Sequence, residues 1–119
     1  MHEYGVVRQI INIVSEKALQ ANAKSVEEIT VVVGELTGYV GESLQRYFGY
    51  FTENTLCANA ELIIEKVPAQ WECSNCHKNF IISSAGSFAC PVCGRDGKPT
   101  EIGREFYIKS TRISVKSRQ

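Results

Sequence analysis

Apolar residues recur at helical spacing near the start of the chain. Val6, Val7, Ile10, Ile11, Val14, Ala18 and Leu19 follow that repeat, with Arg8, Gln9, Asn12, Glu16 and Lys17 between them. The spacing predicts a helix from about His2 to Ala21, with Asn22 as its stop and Ser25 opening the next unit. Glu28 to Leu36 reads as a strand, because Ile29-Thr30-Val31-Val32-Val33 is β-branched throughout and Gly34 and Gly38 mark its exit. Gly41 to Phe51 is a second helix, with Ser43 as its cap and an aromatic face of Leu44, Tyr47, Phe48 and Phe51 that suits core packing. Ala60 to Val67 is a second strand, closed by Pro68. Glu105 to Val115 returns to strand character and is expected to rejoin the first sheet.

Between these last two strands the character changes. From Gln70 to about Thr100, Cys, Gly, Ser, Asn and Pro dominate. The apolar surface there is too small for the segment to fold unaided. Two pairs stand out, Cys73-Ser74-Asn75-Cys76 and Cys90-Pro91-Val92-Cys93-Gly94, separated by 13 residues. Two residues between cysteines allow a tight turn that brings both sulfurs to one ion and points backbone N–H groups at the thiolates. Gly94 suits such a turn because it tolerates positive φ. Two such turns complete a tetrahedron of four thiolates, the donor set of a structural zinc site with no position left for water. The expected fold is α+β: a small sheet of about three strands with two helices, built from residues 1–68 and 105–119. Residues 69–104 form an inserted zinc-ribbon-like domain holding Zn(II) through Cys73, Cys76, Cys90 and Cys93.

Composition sharpens this reading. The 119 residues carry 13 Lys+Arg and 13 Asp+Glu, so net charge is zero and a general phosphate-backbone binder is disfavoured. A local basic patch stays open, best placed in the tail at Lys109, Arg112, Lys116 and Arg118. No run approaches the roughly 18 apolar residues of a membrane span, and Met1-His2-Glu3-Tyr4 is not a secretory signal. The expected location is the cytoplasm, where thiols stay reduced and paired Cys-x-x-Cys motifs read as metal ligands. Cys73-x-x-Cys76-His77 also fits a c-type haem attachment pattern, but haem would leave Cys90 and Cys93 unexplained and requires export. His77 reads as a solvent-facing loop residue, with a swap for a cysteine ligand as the alternative. Cys57, with no His or basic cluster beside it in sequence, reads as a small buried residue rather than a reactive thiol.

The amino terminus carries a second donor set. The Met1 amine and the His2 imidazole can hold one ion together, with backbone nitrogens of His2 and Glu3 completing a planar arrangement of the kind Ni(II) and Cu(II) accept. The bulk of His2 favours retention of Met1. Each residue also has a plain reading: His2 as a surface side chain, and Glu3 as an acid complementing the helix dipole.

Taken together, Met1-His2-Glu3-Tyr4, Val33-Gly34-Glu35-Leu36-Thr37, the Leu44–Phe51 helix and Ala60-Glu61-Leu62 resemble the HypA/HybF family of hydrogenase-maturation nickel metallochaperones. The two knuckles and Gly103-Arg104-Glu105-Phe106-Tyr107-Ile108 share that resemblance, which covers nearly the whole chain. It implies a nickel-binding α/β domain with Met1, His2 and, less centrally, Glu3 at the Ni(II) site, and a zinc domain held by the four cysteines. It implies transient partners, the maturation GTPase HypB and the large subunit of a [NiFe]-hydrogenase, with urease maturation served in some bacteria. Ser110-Thr111-Arg112 departs from the apolar–acidic pair common in the family near the end of the last strand. The resemblance implies a carrier rather than an enzyme. The rival reading is a zinc-ribbon adaptor or nucleic-acid-binding module. A zinc enzyme would need an open coordination position that four cysteines do not leave.

Overall fold

The computed structural model describes residues 3–81 and 89–115; Met1, His2, Lys116 and Arg118 lie outside the described residues. The chain divides into two compact units. The first comprises Met1–Val32, Tyr39–Glu65 and Tyr107–Gln119, and the second Val33–Gly38 and Lys66–Phe106. The architecture is α+β, with two α-helices and two three-stranded sheets among the described residues.

Helix α1 (Glu3–Gln20) buries Val6, Val7, Ile10, Ile11, Val14 and Ala18. Leu19, expected in the same stripe, is 67% exposed. It sits one residue, about 100° of helical turn, beyond Ala18 and so faces away. Asn22 ends the helix in the left-handed region at φ 62°, where an Asn is among the few residues that sit without large strain.

Strand β1 (Ala23–Gly34) begins five residues earlier than its β-branched centre suggests. Its first seven residues bury only Ala23, Val26 and Ile29, and the Val26 amide is tied to Leu56 O at 2.8 Å. Helix α2 (Gly41–Phe51) packs on α1 and buries Leu44 and Phe48. Its N-cap is Val40, with no side-chain cap, so the expected cap Ser43 lies inside the first turn instead. Strand β2 (Glu61–Val67) and the last strand flank β1, and the sheet order puts that last strand, β6 (Phe106–Val115), at an edge. It rejoins the first sheet as the sequence predicts. Cys57 is fully buried in this unit.

The second unit holds three short strands that sequence pattern did not reveal: β3 (Gln70–Cys73), β4 (Asn79–Ile81) and β5 (Gly97–Pro99). β3 is central and antiparallel to both neighbours, pairing Trp71 with Phe80 on one side and with Pro99 on the other. A Cβ at Gly97 would meet the Phe80 ring at 2.7 Å, so the ring lies against bare backbone. Val33–Gly38 groups with this unit through its backbone: Gly34 N donates to Glu105 O at 2.6 Å and Leu36 N to Gly103 O at 2.7 Å. The Glu35 carboxylate accepts from Ala69 N at 2.8 Å, and Gly34 leaves no room for a side chain against Gly103.

Candidate metal centre

Strand β3 delivers Cys73 as its last residue, and the following turn delivers Cys76. Cys73 N donates to Lys78 O at 2.9 Å and His77 N to Cys73 O at 3.0 Å, which closes the first knuckle. The second repeats the plan. Cys90 N donates to Arg95 O at 2.8 Å and Gly94 N to Cys90 O at 2.8 Å. Both knuckles reverse at the residue after their second cysteine, with φ 61° at His77 and 77° at Gly94. The amides of Asn75 and Cys76 point at Cys73 Sγ, and that of Val92 at Cys90 Sγ, all at 3.4 Å.

The four sulfurs converge. All lie within 4.8 Å of one another, with Cys73 Sγ and Cys93 Sγ at 3.1 Å and Cys76 Sγ and Cys90 Sγ at 3.8 Å. None is in a disulfide. Zinc–sulfur bonds of about 2.3 Å set tetrahedron edges of about 3.8 Å, so this donor set fits a zinc ion in both chemistry and spacing. It is the only group of three or more converging His, Cys, Asp or Glu side chains among the described residues. Phe80 and Trp71 pack against it, so the apolar part of the small unit is built around the cluster.

The electrostatics match a cation-binding cluster. The Cys76 N–H, then the Cys93 side chain, hold the Cys73 thiol down at about 6. The Cys93 N–H likewise lowers Cys90. The Lys78 N–H lowers Cys76, but burial and the three neighbouring sulfurs outweigh it and push the thiol up to about 11. Four sulfurs this close do not all ionise unless a divalent cation supplies the opposing charge.

His77 does not join the cluster. Its Nδ1 lies 3.6 Å from Glu72 Oε2, and the imidazole is 73% exposed. At the other end of the chain, Glu3 opens α1 and its Oε2 accepts from Val40 N at 2.6 Å, a contact across 37 residues that no local sequence signal announces. The aromatic face of α2 meets α1 there. Tyr4 stands edge-on to Tyr47 at 6.2 Å, Tyr47 stacks on Phe51 at 6.2 Å, and the Arg8 guanidinium lies 5.6 Å from the centre of the Phe51 ring. The basic residues of β6 are neutralised: Lys109 pairs with Glu65 at 3.0 Å, and Arg112 with Glu27 and Glu28 at 3.4 Å each. Burial raises the Cys57 thiol, opposed by a contact with Ser15 Oγ at 3.7 Å. No helix among the described residues is long and apolar enough to cross a membrane.

Fold and site thus define a small metal-binding protein, an α+β unit joined to a four-thiolate knuckle unit. A sequence model described as hydrogenase/urease nickel incorporation, metallochaperone, hypA matches residues 1–113, and the chain belongs to the HypA family. A hydrogenase maturation factor HypA from Caldanaerobacter subterraneus subsp. tengcongensis is 41% identical over 95% of this chain and 99% of its own. One from Methanocella arvoryzae is 38% identical over 97% of this chain and 100% of its own. The solution structure of the nickel metallochaperone HypA from Helicobacter pylori superposes with TM-score 0.64 at 27% identity, covering 98% of this chain and 100% of that one.

Proposed function

We propose that this chain carries Ni(II) to a [NiFe]-hydrogenase during maturation and that its four cysteines hold a structural Zn(II). The observation that carries the division of labour is the closed cluster. Four thiolates from the chain itself satisfy a tetrahedral ion, so that centre suits a resident metal and not a cargo that must leave. The cargo then belongs at the amino terminus, where the Met1 amine, the His2 imidazole and backbone nitrogen form an open, planar donor set. Few ligands at a chain end release metal more readily than a cage, and protonation of amine and imidazole weakens them further as pH falls.

In this account Glu3 contributes backbone nitrogen, and its carboxylate accepts from Val40 N, which ties α1 to the start of α2. His77 is the residue beside the cluster that can exchange with a cysteine during transfer, at the expense of its Glu72 contact. The partners are the GTPase HypB and the hydrogenase large subunit, with urease maturation proteins a further recipient, all in the cytoplasm. The chain itself catalyses no reaction. The pairing of Lys109 and Arg112 with glutamates counts against a nucleic-acid-binding role. Metal analysis of dialysed His2→Ala protein tests the proposal: nickel is lost and zinc retained. Nickel retained at the level of the unaltered chain refutes it.

A further inference from the structure

We infer that β6 is a docking edge for an extended acidic–apolar segment of a partner protein, which adds as a fourth strand to the sheet of the first unit. The inference goes beyond the nickel reading and stands whether or not metal binds at the amino terminus. The sheet order is β2-β1-β6, so one side of a strand spanning Phe106–Val115 has no neighbouring strand among the described residues. Unpaired strand edges are templates for another chain unless blunted by charge or Pro, covered or kept short; the charges on this edge, Lys109 and Arg112, are tied to Glu65 and to Glu27 and Glu28. This one is 10 residues long, contains no Pro, and exposes Lys109, Ser110, Thr111 and Arg112 consecutively.

A cavity of about 320 Å³ opens between this strand and α1. Val14, Ala18, Ile108 and Ile113 supply apolar lining, with Ile13, itself 45% exposed, beside them. An added strand would lie about 4.8 Å beyond β6, with every second side chain turned toward the helix side. Those side chains would enter the space beside Ile13, and apolar ones would bury it.

Charge selects the occupant. The cavity is lined by Lys17 and Lys109 and by no acidic residue. Lys109 is shared with Glu65, whereas Lys17 has no side-chain partner among the described residues. A carboxylate from the incoming segment would meet Lys17. A second copy of this chain fits poorly. Its own edge strand, Phe106–Val115, contains no Asp or Glu and so brings no carboxylate to Lys17. The occupant is therefore a different protein, presenting both apolar and acidic residues on the strand face turned toward α1.

A blocked heptapeptide with valine, glutamate, valine and valine at its four same-face positions and threonine between them, titrated into the isotope-labelled, zinc-loaded full chain, tests this by amide chemical shifts. The expected shifts are confined to β6 and the Ile13–Ala18 stretch of α1. Lys17→Glu, an exposed helical position that leaves the fold intact, should weaken binding about ten-fold or more, and Lys17→Gln should weaken it less. The same peptide with lysine in place of glutamate should not bind. Three results would overturn the inference: no β6 shifts at millimolar peptide, equal binding of the acidic and basic peptides, or β6 shifts that follow chain concentration alone. The last would make a second copy the occupant.

Discussion

The carboxylate of Glu3 accepts a hydrogen bond from the backbone amide of Val40 at 2.6 Å, so the first turn of α1 is tied to the residue that caps α2. The Val40 amide is one of the donors that a helix start leaves without an intrahelical partner, and an anion there also suits the helix dipole. The contact is solvent-exposed, which limits its worth. Glu3→Ala is expected to lower stability by about 1 kcal/mol, and Glu3→Gln, which keeps an oxygen acceptor, by less. Urea denaturation gives the energies, and faster hydrogen exchange at Val40 locates the loss.

Zinc binding should weaken steadily with acidification. The metal takes thiolates, and protons compete for the same sulfurs. Cys73 is poised to ionise near 6, but Cys76 stands at about 11 until a cation compensates, so binding zinc must expel a proton at neutral pH. Lowering pH refills these sites and drives zinc off. Competition with a chromophoric chelator across a pH series reads this directly, and Cys73→Ser should lose zinc even at neutral pH.

The two knuckles place His77 and Gly94 in equivalent left-handed positions. A side chain there costs about 1 kcal/mol relative to glycine. Gly94→Ala is therefore expected to destabilise the knuckle unit by about that amount, and His77→Gly to be neutral or stabilising with zinc retained. Thermal unfolding of the zinc-loaded variants measures both.

Burial raises the Cys57 thiol above its ordinary value. A raised folded-state pKa means the neutral thiol is favoured in the fold. That contribution is complete below the unfolded value of about 8.5 and is lost as pH rises beyond it. The stability of the parent chain should thus fall more steeply above that pH than that of Cys57→Ala, by urea midpoint with zinc bound. The native thiol should also resist alkylation at neutral pH.

What the sequence makes legible is local. Cys73, Cys76, Cys90 and Cys93 announce themselves because ligand spacing is set by the turn that brings two sulfurs to one ion. The limits of α2 follow from its aromatic spacing. The start of β1 does not, because Lys24, Ser25 and Glu27 hide a strand whose buried residues Ala23, Val26 and Ile29 come every third position. Ser43 has the composition of a cap, yet the helix starts one turn earlier, at a Val whose amide is satisfied from Glu3. That partner lies far away in sequence, as does Glu35 from Ala69, and contacts of this kind leave no periodic trace. The strands β3 to β5 are three or four residues long, too short for alternation to register.

The carrier account turns on where nickel sits. Titrating Ni(II) into the untagged, zinc-loaded chain while recording its d–d absorption tests this most directly, alongside a chain lengthened by one residue at its amino terminus. The account predicts a planar-nickel band that saturates at one ion per chain and disappears in the lengthened protein, which displaces the amine from His2. A band of the same intensity in both, or nickel that displaces zinc from the cysteines, would contradict it.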